Sequence, residues 1–190
     1  FIMKKLLLIL SIPISIFLVS CGGGEGDLQP VDLSIYTYVP DDNFEQELIN
    51  LGYDSVLDNY VLTSNINTVT NLMIDSLSIT DITGVEGFTA LTHLSCVVND
   101  LTSLDVSQNT ALQVLACYDN QLTRLDLSNN TALNHLFCSS NNLTSLNVNG
   151  AIPLYILECG NNQLTSLDLN STITVLGCAN NQLTSLDVSQ

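Results

Sequence analysis

Three residue types recur in this chain at a spacing that could do chemistry: cysteine, aspartate and asparagine. Cys96, Cys117, Cys138, Cys159 and Cys178 succeed one another every 21 residues, with a last step of 19. Metal ligation asks for thiols paired two to four residues apart, and no such pair occurs. On stacked parallel strands successive thiols would lie ~5 Å apart. That is within bridging distance, but side chains that all point the same way have poor disulfide geometry. The column therefore reads as small, buried apolar side chains. Asp105, Asp126, Asp168 and Asp187 form a second column, with Asn147 in its third slot. Hard cations take carboxylate oxygens, yet one carboxylate per turn, without a Gly-Asp cluster, favours a solvated or turn-bonding role. Asp54, Asp58 and Asn59 are no stronger as a calcium set.

Catalysis finds little to stand on. His93 and His135, the only histidines, lie two repeats apart with Val114 between them. Strand spacing puts them ~10 Å from each other, too far for one metal or a shared proton. Serine is abundant, but no G-x-S-x-G nucleophile setting occurs. Apart from Lys4 and Lys5, Arg124 is the one cation able to meet an oxyanion. The reading is a non-enzyme, with no catalytic residue, no metal and no cofactor.

Composition narrows the partners. Of 190 residues, 19 are acidic and 3 basic, a formal net charge of -16. Such a protein is repelled by nucleic acid and by anionic lipid surfaces, so nucleic acid is excluded as a partner.

The elements that must position these columns follow from a repeat. From Leu91 the units read LTHLSCVVNDLTSLDVSQNTA, then LQVLACYDNQLTRLDLSNNTA from Leu112, LNHLFCSSNNLTSLNVNGAIP from Leu133 and LYILECGNNQLTSLDLNST from Leu154, with a further unit starting at Ile173. Leu91, Leu94 and Cys96 alternate as a short strand with one buried face. Leu101, Leu104 and Val106 supply a second apolar rib on the way back. No unit can bury both ribs alone, so neighbours must stack around one continuous core. Asn99, Asn120, Asn141, Asn162 and Asn181 fall where the strand must turn, where an amide can bond backbone groups of its own and the adjoining unit as a structural ladder.

The pattern L-x-x-L-x-C-x-x-N-x-L-x-x-L-D-[VL] resembles the leucine-rich repeat superfamily, and closely its short 21-residue bacterial class with Cys in the strand, called IRREKO-type. The resemblance covers residues 69–190, in units 69–90, 91–111, 112–132, 133–153, 154–172 and 173–190. The first of these departs from the pattern and looks more like the 22-residue repeats of internalins. The stretch from Tyr38 to Asn67 resembles the leader ahead of such repeats in secreted proteins of Bacteroidetes. The implied fold class is α+β: a leucine-rich-repeat solenoid with short parallel strands on its concave face, a small helical N-terminal cap over 38–68 and little helix in the repeats. Within that cap, Asp42 and Glu45 read as a capping box. Phe44, Leu48 and Leu51 share one helical face, and Gly52 is placed to end the helix. The repeat breaks off at Gln190 in mid-phrase, which reads as a sequence that continues.

Ahead of the cap, Lys4 and Lys5 precede an apolar run from Leu6 to Val19, the layout of a secretory signal over residues 1–20. The run is shorter than the ~20 residues of a membrane span. It ends in Leu18-Val19-Ser20-Cys21-Gly22, which resembles a bacterial lipobox and implies lipidation at Cys21. Residues 21–37 then read as a polar, glycine-rich tether. With the signal removed, Arg124 is the one base against 19 acids, so attachment to a membrane would rest on lipid at Cys21.

In leucine-rich repeats the residues flanking the buried strand positions line the concave surface. Here the resemblance implies a binding face of His93, Val97, Tyr118, His135, Phe137, Ile156 and Glu158, whose aromatics suit a protein or carbohydrate ligand. The expectation is an outer-membrane lipoprotein of a Gram-negative cell envelope, surface-exposed or periplasmic, mediating interaction or adhesion. The alternative is a passive envelope spacer, or a targeting repeat attached to a further C-terminal module.

Overall fold

The computed structural model describes residues 33–151, 153–169 and 171–186. Cys21 and the signal segment, and Asp187 of the aspartate column, lie outside the described residues. Contacts divide the chain between Ile35 and Tyr36, and of the first unit only Leu33–Ile35, one 3-10 turn, is described.

Three-residue strands carry the repeat: β3 (Asn71–Met73), β4 (His93–Ser95), β5 (Val114–Ala116), β7 (His135–Phe137), β9 (Ile156–Glu158) and β10 (Val175–Gly177). They form one sheet in the order β10-β9-β7-β5-β4-β3, every pair parallel. The register sets Leu72, Leu94, Leu115, Leu136, Leu157 and Leu176 side by side, and the first five are at most 1% exposed. Parallel strands need a crossover, and here it is the second apolar rib: Leu101, Leu122, Leu143 and Leu164 are fully buried on the way back, with Val106, Leu127 and Val148 behind them. On that side, among the described residues, only β6 (Arg124–Asp126) and β8 (Ser145–Asn147) pair as strands. Among the described residues the repeats hold no α-helix, so the solenoid of short parallel strands with little helix is what the sequence implied.

At each turn the residue before the ladder asparagine adopts a left-handed backbone: Val98, Asp119, Ser140, Asn161 and Asn180, with φ between 53° and 57°. That conformation costs roughly 1–2 kcal/mol for a residue with a Cβ. The asparagine that follows offsets it. Asn120 Oδ1 accepts the Leu101 N–H at 3.0 Å, while its Nδ2 donates to the carbonyls of Cys96, Cys117 and, more distantly, Tyr118. Asn141 and Asn162 repeat the arrangement one and two rungs on. A second ladder, not read from the sequence, runs on the return side. Asn109 and Asn130 are fully buried and donate to carbonyls of the preceding rungs.

Ahead of the repeats, β1 (Tyr36–Tyr38) pairs antiparallel with β2 (Tyr60–Leu62), and α1 (Asp42–Asn50) lies between them in sequence. A single helical turn, α2 (Thr63–Ile66), leads into the first rung. Two details correct the sequence reading. The N-cap of α1 is Asp41 instead of Asp42: its Oδ1 accepts from Asn43 N and Phe44 N, and its Oδ2 binds Thr80 and Asp81, tying the helix to the first repeat. Glu45 does not complete a capping box either. It is fully buried, and Oε1 accepts the N–H groups of Asp58 and Tyr60. Phe44 and Leu48 face the core, but Leu51 is 44% exposed because it is the C-cap, already turning away. Gly52 follows in the left-handed region at φ 80°, where glycine carries no Cβ penalty.

Candidate interaction surface

Because the middle residue of every strand points into the core, the first and third must point out. In register these give two outward columns. One runs Asn71, His93, Val114, His135, Ile156, Val175; the other runs Met73, Ser95, Ala116, Phe137, Glu158, Gly177. His135, Phe137, Ile156 and Glu158 thus come together on adjoining rungs at the centre of the face. The rings of His135 and Phe137 stack at 6.5 Å with 21° between their planes. His135 Nδ1 is bonded to Asn134 Oδ1, and His93 Nδ1 to the Thr92 hydroxyl at 2.9 Å. Tyr118, just beyond β5, is 39% exposed.

Val97 is a correction. At 7% exposure it is buried and offers nothing to a ligand. Its N–H is held by Asp75 Oδ1 and its carbonyl by Ser76 N, so its backbone is drawn against the neighbouring rung. A valine there is too short to emerge, whereas the larger Tyr118 at the equivalent place does.

The sequence reading passed over exposed residues of the same columns: Met73 (60%) and Val175 (47%) extend the face at either end, and Tyr155 (48%) edges it ahead of β9. Continuing the outward columns into the first and last units would have found the first two. It would not have found the tyrosines of the leader hairpin. Tyr36 and Tyr38 are exposed on β1, and the ring of Tyr38 lies 5.4 Å from that of Tyr60 across the pair.

Electrostatically the strand face carries only acids among the permanently charged groups of the described residues: Glu158 on it, with Asp75 and Asp119 beside it. Arg124 lies on the return side instead, lining with Asp126 and Asp105 a hollow of about 400 Å³. Asp81, Glu86 and Asp105 line another of about 330 Å³. The aspartates there are engaged in turns. Asp105 accepts from Ser107 N and Asp126 from Ser128 N. The Ser128 N–H and hydroxyl, with Asn147 Nδ2, hold the Asp126 carboxyl below its ordinary pKa. Among the described residues no group of three or more His, Cys, Asp or Glu is placed to hold a metal.

The thiol column is chemically quiet. Cys96, Cys117, Cys138 and Cys159 are buried as free thiols, and Cys178 is partly so. Burial, reinforced by the next cysteine in the stack, pushes the first three thiols well above their ordinary pKa and Cys159 up to about 12. A nucleophile needs the thiolate, which these positions disfavour.

No family model matches the sequence. Internalin J of Listeria monocytogenes is 39% identical over 77 residues, a span of 40% of this chain and 8% of that protein. Among solved structures, the functional domain of internalin J, described as including a cysteine ladder, superposes with a TM-score of 0.74 at 39% identity. That match covers 80% of this chain and 35% of the other. A leucine-rich-repeat protein of Leptospira interrogans matches with a TM-score of 0.58 at 26% identity, over 63% of this chain and 33% of its own. The protein therefore spans about a third of these solved relatives and a small part of the curated one. Its fold is the leucine-rich-repeat solenoid, similar to internalin J and other bacterial proteins of that architecture. Of these relatives, the Leptospira protein is named for its leucine-rich repeats and the internalin J domain for its cysteine ladder.

Proposed function

We propose that this protein is a lipid-anchored component of a bacterial cell envelope whose repeats bind a protein or glycan partner through the outward, concave side of the strand face. The observation that carries this is the register that sets His135, Phe137 and Ile156 on adjoining rungs, with Tyr118 and Glu158 beside them. Side chains there are not needed to bury the core, which the leucine and cysteine columns already fill. Aromatic anchors at the centre of a patch are the usual carriers of binding energy. Similarity to internalin J supports an interaction or adhesion role for such a segment. Lys4, Lys5, the apolar run and Cys21 support export and lipidation, and with them an outer-membrane site.

Two experiments test the reading. Cells expressing the full-length protein are labelled with a lipid precursor and probed with antibody to the repeats, before and after permeabilisation. Lipid label that disappears with Cys21→Ser and staining of intact cells are the results expected; label that persists in the variant removes the anchor. Partner capture on intact cells is then compared between the natural protein and the Tyr118→Ser, Phe137→Ser double variant. Capture should fall at least tenfold while the melting curve is unchanged, and equal capture by both removes this face as the binding surface.

A further inference from the structure

Asn149 stands in surroundings unlike those of the strand-side ladder asparagines. Asn99, Asn120, Asn141 and Asn162 are buried, and in each case the N–H of the following residue is tied to an adjoining rung: Asp100 to Ile79, Gln121 to Leu101, Asn142 to Leu122 and Gln163 to Leu143, all at 2.9 Å. A side-chain amide in that setting is shielded, and the backbone nitrogen that could attack it is occupied. Asn149 is exposed, and its side-chain amide makes no hydrogen bond among the described residues; its own backbone N–H is held by Asn147 Oδ1. The next residue is Gly150, whose N–H is likewise without a hydrogen bond there and which has no side chain to hinder approach.

We propose that Asn149–Gly150 is a self-modification site, at which the asparagine of the folded protein becomes aspartate and isoaspartate. The Gly150 nitrogen attacks Cγ of Asn149, forming the new N–C bond. The Cγ–Nδ2 bond breaks, and Nδ2 leaves as ammonia with the proton from Gly150. Water then opens the cyclic imide at either carbonyl. Opening at Cγ gives aspartate, and opening at the backbone carbonyl gives isoaspartate. No oxidant or cofactor takes part.

The fold itself keeps the glycine in place. A Cβ at Gly150 would lie 1.9 Å from the Ser128 carbonyl oxygen of the preceding rung, so another residue cannot stand there unless the two rungs part. At the equivalent places the preceding rungs carry Gln108 and Asn129. The same closeness gives the reaction a structural consequence. Isoaspartate lengthens the backbone by one carbon at a turn stacked directly on Ser128, next to the strand pairing of β6 with β8. Either product also adds a carboxylate near Asp126 and Asn147.

The full-length protein is incubated, folded, in mildly alkaline buffer beside the synthetic peptide Val-Asn-Gly-Ala-Ile. Samples are digested and read by mass spectrometry with chromatographic separation of the two isomers. In the folded protein the fragment holding Asn149 should gain the aspartate and isoaspartate forms, and the fragments holding Asn99, Asn120, Asn141 and Asn162 should not. Asn149→Ser, which copies Ser107 and Ser128 at the same place in the preceding rungs, should abolish the change and keep the fold. Conversion of the peptide without conversion of the folded protein would overturn the proposal. So would conversion of the ladder asparagines as fast as Asn149.

Discussion

The two long sides of the solenoid share one period and bury the same kinds of residue, yet only one of them is a continuous sheet. On the strand side six strands run in register, and each full ladder asparagine uses both its oxygen and its amide. On the return side Asn109 and Asn130 donate from Nδ2 but leave Oδ1 buried without a partner, and Ala151 replaces the asparagine in the next unit. Among the described residues strands pair there only where Asp126 faces the neutral Asn147, which donates to it at 2.9 Å. Where Asp105 and Asp126 are the neighbours, the two rungs line a hollow instead. Apolar periodicity is therefore enough to stack the rungs. A sheet needs, in addition, polar groups satisfied on every rung.

The sharpest test of that contrast is a pair of matched substitutions. Asn120→Ala strands the buried Leu101 N–H, at about 1–3 kcal/mol, and removes one of two donors to each of the Cys96 and Cys117 carbonyls, which keep Asn99 and Asn141, so a loss of about 4 kcal/mol is expected in urea denaturation. Asn130→Ala removes two donations and an already unpartnered oxygen, and about 2 kcal/mol is expected. Equal losses would break the distinction between the two sides.

The leader supplies the next effect, and with it a pH dependence. Burial opposes ionisation of Asp41, but bonds from Thr80, Phe44 and Asp81 outweigh it and hold the carboxyl below its ordinary pKa. The stability it confers is present above the unfolded carboxylate pKa and is lost as pH falls through the lower, folded one. Asp41→Ala should cost about 1–2 kcal/mol at neutral pH and flatten the acid limb of the melting profile. Glu45 has the opposite sign. Burial raises its pKa despite the Asp58 and Tyr60 N–H bonds, so its favourable contribution is present below the unfolded pKa and fades as pH rises through the raised one. Glu45→Gln keeps an acceptor for both N–H groups and should raise the melting temperature at neutral pH relative to acid, as differential scanning would read.

The smallest effect concerns the return-side pair. Asn147→Asp would set like charges in register across β6 and β8, costing about 0.5 kcal/mol at low salt and less as salt screens them. A destabilisation indifferent to salt would mean that the Asn147 amide, and not charge, joins these strands.

The columns were legible because each repeats: a leucine, cysteine or asparagine seen five times in phase is positioned by its neighbours as much as by itself. What appears once was harder to read. Asp41 displaced Asp42 as the helix cap because its second oxygen bonds Thr80 and Asp81, the latter 40 residues away in sequence. Val97 sank because of the adjoining rung, and the tyrosines of the leader hairpin met through a pairing that alternation in Tyr36–Tyr38 alone does not announce.

The sequence by itself determined the stacking: its 21-residue period, its two apolar ribs and its asparagine column admit no arrangement in which a unit buries itself alone. Only the tertiary structure decided which outward residues share a face, which side becomes a sheet and which glycine has no room for a side chain. Those outcomes turn on distances between rungs, and such distances are set by neighbours that a linear reading places about twenty residues apart.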